Sequence, residues 1–246
     1  MSTEKPPTQR PPTQRRAFLR KTLAIVPAVS LTSGAATMAM SNQGHAADAP
    51  KQEVPYEPRY FHPAEWAFIN AAVDRLIPSN DDGPGAVELG VPEFIDRQME
   101  APYGRGAFWY MRGPFKTDGE PTLGYQLRLT PRELYRAAIT AVDGWCRKTH
   151  GKTFAALDAP TRDAVLRQLE AGKAELETVP AAIFFTTLLA NTKEGYFADP
   201  IYGGNRHMGS WKMIGFPGAR ADFMDWVDQP GKTYPLGPVS ISGEKA

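Results

Sequence analysis

Cysteine is almost missing from this chain of 246 residues: Cys146 stands alone. One thiol excludes an intrachain disulfide, a cysteine-held iron–sulfur cluster and a C-x-x-C-H haem attachment within the chain. Neither sign of charge dominates, with 28 Lys+Arg against 27 Asp+Glu. No global field of the kind that gathers nucleic acid therefore exists. The four histidines, at 45, 62, 150 and 207, are scattered without the i, i+4 spacing of a metal site. No Gly-x-Gly-x-x-Gly follows a strand pattern and no phosphate loop appears, so no nucleotide site is legible. Glu65, Asp74 and Asp143 read as helix-surface charges, and no two carboxylates suggest an acid–base pair. Long apolar runs are also scarce, and none after residue 50 is long enough to span a bilayer.

What is present begins at the N-terminus. Arg15-Arg16, followed by Phe18-Leu19, precedes an uncharged, mildly apolar stretch from Thr22 to Met40. This pattern predicts a twin-arginine export signal over 1–46, although Gln14 stands where Ser or Thr is usual. Small residues at Gly44-x-Ala46 place cleavage between Ala46 and Ala47. Two other readings remain: an uncleaved anchor, or a basic nucleic-acid-binding arm, the latter disfavoured by the apolar run behind it. The signal predicts a periplasmic location, at the outer face of the inner membrane.

Residues 47–60 read as a linker and 61–246 as one domain. The composition predicts a mainly α fold, a single helical domain with long irregular loops rich in proline, glycine and aromatics. Spacing predicts a helix over 63–77 with Trp66, Ile69, Val73 and Leu76 on one face, and a second over 92–99. Residues 101–129 are too broken by proline and glycine for regular structure, yet too aromatic for disorder. They suit a packed surface loop or a partner-facing one. Thr130-Pro-Arg-Glu133 is a capping box that opens a helix with Leu134, Ala138, Val142 and Trp145 inward, closed by Gly151. Asp158 caps the next, with Val165, Leu166 and Leu169 inward. Pro180 opens an apolar run to Ala190 that suits a central buried helix.

Residues 195–218 carry the most information. Paired glycines and Asn205 allow unusual backbone, while Asp199-Pro200 is turn chemistry. Tyr202, Trp211 and Phe216 are anchors of the kind found at interface centres, and Arg206 and Lys212 can pair with carboxylates. The segment reads as a docking loop formed by Asp199, Tyr202, Gly203, Gly204, Asn205, Arg206, Trp211, Lys212 and Phe216. The alternative is an irregular segment folded back over its own helices.

The run Asp199-Pro-x-Tyr-Gly-Gly-Asn205, followed by Trp211-Lys-x-Ile-Gly-Phe-Pro-Gly218, resembles the gluconate 2-dehydrogenase subunit 3 family. Asp74 to Pro78, Gly90 to Asp96 and Phe184-Phe185 are also similar. The resemblance implies a small accessory subunit that supplies the export signal and assists folding of a large subunit carrying FAD. It usually implies a multihaem cytochrome c subunit as well. It implies no catalytic residue here. Two other functions stay open: a subunit whose 195–218 loop reaches the active site or electron path, and an independent periplasmic helical binding protein.

Overall fold

The computed structural model describes residues 55–246, Asp118 excepted. The predicted signal, including Arg15, Arg16, Phe18, Leu19, Ala46 and Ala47, lies outside the described residues, as does 47–54 of the predicted linker. Among the described residues there are six α-helices and several single 3-10 turns: α1 Pro63–Leu76, α2 Val91–Glu100, α3 Pro131–His150, α4 Ala159–Glu170, α5 Ala181–Phe197 and α6 Gly209–Ile214. Only isolated bridges replace strands, at Asn80–Gly83, Gly218–Val239 and Val239–Lys245. No described helix is long and apolar enough to cross a membrane.

Local chemistry sets the helix ends. Glu133 accepts from the Thr130 backbone N–H at 2.8 Å and from its hydroxyl at 2.7 Å, which holds the Glu133 carboxyl below the usual range. Gly151 stops α3 in the left-handed region at φ 73°. Asp158 accepts from the Thr161 N–H at 2.9 Å and opens α4. At α1 the helper is Glu65, which accepts from the His62 N–H at 2.8 Å.

α5 is the central element and packs against α1, α2, α3, α4 and α6. Phe184 on α5 meets Phe68 of α1 and Tyr135 of α3, with ring centroids 6.1 and 5.7 Å apart. Phe154, from the turn after α3, closes on Phe68 at 4.7 Å. Each of these four aromatics is fully buried, the side-chain class that contributes most apolar area to a core. Cys146 is buried in the same core, where loss of solvation pushes its thiol up to about 12. Arg75 on α1 and Asp163 on α4 clamp the two helices through paired bonds of 2.7 and 3.0 Å.

Several elements differ from the sequence reading. α5 continues past Ala190 to Phe197, because Asn191 and Thr192 turn into the core and bond there instead of ending the helix. Its surface is not buried all round, since Thr186 and Ala190 face outward. In α1, Phe68, Ala71 and Ala72 join Ile69 and Val73 in the core, whereas Trp66 and Leu76 are only half-buried. In the broken stretch 101–129, Trp109 packs between Tyr103 and Tyr125, while Phe108 and Tyr110 stand in solvent. The end of the predicted linker is fastened to the domain. Asp96 of α2, fully buried, accepts from the Tyr56 hydroxyl and the N–H groups of Arg59, Tyr60 and Phe61 at 2.7 to 3.1 Å. Four such bonds offset the cost of burying a carboxylate.

Candidate docking site

Residues 199–216 leave the end of α5, turn twice and return as α6. The reversal depends on close backbone contact. A Cβ on Gly204 would stand 2.1 Å from the Gly195 carbonyl, and one on Gly195 would stand 2.7 Å from the Phe94 ring. Neither position admits alanine without moving backbone or a core aromatic. The turn itself is unusual: Asn205, His207 and Met208 all hold positive φ, at 47°, 53° and 56°. Such geometry costs free energy and persists only where surrounding contacts fix it.

Asn205 supplies those contacts. Its fully buried side chain accepts from the Ser210 N–H at 3.0 Å and from the Ser210 hydroxyl at 2.8 Å. It donates to the Ala198 carbonyl at 2.9 Å, tying the end of α5 to the start of α6. Trp211 is buried and donates to the Phe197 carbonyl at 2.9 Å. Phe216 meets it edge-on, with centroids 5.1 Å apart.

Two further carboxylates fix the rest. Glu93 on α2, nearly buried, is shared by Arg97 and Arg206, the latter bond measuring 2.7 Å. Asp199 accepts from the Ile201 N–H at 3.1 Å and from the Ile241 N–H at 2.7 Å. One carboxylate thereby ties the backbone of the turn after α5 to that of the C-terminal segment.

Of the nine predicted docking residues, Asp199, Gly203, Gly204, Asn205 and Trp211 turn into the fold. Arg206 is half-buried on Glu93. Tyr202, Lys212 and Phe216 face outward. Sequence reasoning missed the other apolar members of that outer face. Phe197, Ile201, Tyr202, Met213, Ile214 and Phe216 each keep between 43% and 55% of their surface exposed, and Ile241 keeps 64%. Six large apolar side chains within one twenty-residue segment are thus left largely in solvent. Glu93 and Asp96 were missed too. Their signal was two acids three residues apart on an otherwise apolar helix start.

Polar atoms beneath this surface are spent on internal bonds. Asp199, Asn205, Arg206 and Ser210 all hold the turn in shape. Among the described residues, no group of three His, Cys, Asp or Glu side chains is placed to hold a metal.

The model of the gluconate 2-dehydrogenase subunit 3 family matches residues 63–218. The chain belongs to that family. The matched region runs from the first residue of α1 to the glycine that packs against Trp211, so it includes all six described α-helices and the 199–216 segment. No curated protein and no solved structure matches the chain. The C-terminal segment that reaches Asp199, residues 219–246, lies beyond the matched region.

Proposed function

We propose that this chain is a non-catalytic accessory subunit of a flavoprotein dehydrogenase complex, and that its 197–216 face docks on the FAD-bearing large subunit. Membership of a family described as a dehydrogenase subunit supports the first half. The observation that carries the second is the apolar outer face built on a rigid polar scaffold. An interface needs large side chains held in place before binding, because ordering them afterwards costs affinity. Here Trp211, Asn205 and Asp199 fix the backbone under Phe216, Ile214 and Ile201 in advance. The engagement of Asp199, Asn205, Arg206 and Ser210 in internal bonds supports a scaffolding role for these four over a chemical one.

In this reading the twin-arginine signal at Arg15-Arg16 exports the two subunits as a folded pair. The complex then works in the periplasm, at the outer face of the inner membrane. FAD belongs to the large subunit, and haem c to a cytochrome subunit that receives the electrons. Binding only the folded form of the large subunit stabilises that form by mass action. Expression of the large subunit with and without this chain tests the reading. Flavin-loaded large subunit should reach the periplasm only in the presence of this chain, and only with Arg15-Arg16 intact. Equal export of loaded large subunit in both cases would sink the proposal.

A further inference from the structure

We propose that the aromatic tip of the 101–129 segment is a lipid-contacting surface, and that its occupant is the headgroup region of an anionic phospholipid bilayer. The inference goes beyond the subunit reading above and does not depend on it.

The tip follows from how one tryptophan is seated. Trp109 packs between Tyr125 and Tyr103, with ring centroids 4.6 and 5.9 Å apart. Its neighbours on either side are left in solvent: Phe108 keeps 76% of its surface exposed and Tyr110 keeps 81%. Leu123, on the returning limb, is also exposed. Between the two limbs lies an open concavity of about 430 Å³, lined by Trp109, Tyr110, Phe115, Leu123 and Tyr125, with Arg112 as its sole charged lining residue. Large apolar side chains clustered in water mark a surface that something covers.

Charge selects what covers it. From Ala101 to Thr117 the sequence carries Arg105, Arg112 and Lys116 and no acid. Over 105–128 there are four cations, with Arg128, against two acids, Asp118 and Glu120. Arg105 stands 3.6 Å from Glu100, but Arg112, Lys116 and Arg128 have no carboxylate partner among the described residues. The Arg128 guanidinium instead lies 6.0 Å from the centre of the Phe115 ring. Aromatic rings interleaved with unpaired cations suit the boundary between acyl chains and anionic headgroups, where rings bury their faces and cations meet phosphate.

A fluid surface fits the tip better than a folded partner does. Among the described residues, the Trp109 indole N–H and the Tyr110 hydroxyl make no hydrogen bond, and neither do the side chains of Arg112 and Lys116. These polar groups stay free to bond headgroups that arrange themselves around the protein. The 197–216 face is the opposite case, with its backbone fixed in advance by Asn205 and Asp199.

Vesicles of phosphatidylcholine, alone or mixed with phosphatidylglycerol, test this with the full chain. Ala107→Cys carries an environment-sensitive dye at the tip, and Lys152→Cys carries it beyond the far end of α3; Cys146 is buried and does not compete for label. The apolar run Thr22 to Met40 is present in every sample, so the difference between positions and between variants is what counts. The dye at position 107 should shift to the blue on phosphatidylglycerol vesicles, and the dye at 152 should not. Phe108→Ser combined with Tyr110→Ser should lower partitioning by about ten-fold or more. Arg112→Gln combined with Lys116→Gln should lower it by about 30-fold on anionic vesicles at low salt and leave neutral vesicles unaffected. Equal dye responses at 107 and 152, or partitioning undiminished in both double variants, overturns the proposal. So does a result in which these variants leave vesicle binding intact and weaken capture of the large subunit, which would make the tip a protein contact. No large subunit enters the vesicle assay and no residue is shared with the 197–216 face, so either reading can fail alone.

Discussion

Replacing Asn205 by alanine removes three hydrogen bonds from the interior and leaves the Ala198 carbonyl and Ser210 without their partner. At about 1 kcal/mol each these bonds account for roughly 3 kcal/mol. The residue also sits at φ 47°, which asparagine tolerates and alanine does not, adding about 1 kcal/mol. The expected loss is therefore about 4 kcal/mol, a large share of the roughly 5–15 kcal/mol typical of a domain. For a domain of this size it corresponds to a fall in Tm of roughly 8–16 °C. Asn205→Gly loses the same bonds but accepts the positive φ, so it should recover about 1 kcal/mol of the deficit. Thermal unfolding followed by circular dichroism reads both variants. An alanine variant melting within 3 °C of the parent would refute the reasoning. So would a glycine variant no more stable than the alanine one, because the backbone cost would then be absent.

Ile214→Ser should leave Tm unchanged within about 0.5 kcal/mol, as befits an exposed residue. It should weaken capture of the large subunit by about 2 kcal/mol, or ~30-fold in Kd, as measured by pull-down titration. Arg75 hydrogen-bonds Asp163 and holds its carboxyl below the ordinary value of 3.8. The clamp therefore stabilises the fold above that pH and is lost as pH falls through the lowered value. Asp163→Asn should accordingly destabilise the chain at pH 7 and converge with the parent in urea melts near pH 2. Cys146, with its thiol pushed up to about 12 chiefly by burial, should ignore a disulfide reagent at pH 8 until urea unfolds the chain. Rapid labelling of the native protein would contradict its placement in the core.

Much of the frame was legible because it rests on local chemistry. Thr130 and Glu133, Asp158, and Gly151 mark their helix ends through bonds made within a few residues, and those bonds formed. Val165, Leu166 and Leu169 likewise face inward because their spacing leaves no other apolar stripe on α4. Interactions that join distant segments left no such trace. The apolar run stopped at Ala190, yet Tyr135, 56 residues from Asn191, gives that amide a buried partner and lets α5 run on. α6 was hidden among glycines, since six residues are too few to show periodicity. The docking segment was recognisable as a unit, but the inward and outward members were not separable. Trp211 and Phe216 are both large aromatics, but only the indole carries an N–H, and it is spent on the Phe197 carbonyl.

The Asp199 carboxylate has a consequence for where this domain ends. Its two oxygens are divided between Ile201 and Ile241, and Val239 pairs with Gly218 directly behind Trp211. A protein shortened after Gly218 would keep the sequence of every described α-helix and still lose the second occupant of that carboxylate. The last twenty-eight residues thus act as a keystone for a surface they scarcely belong to by sequence. Relatives with different tails would be free to carry the same helices and turn a differently finished face toward their partners.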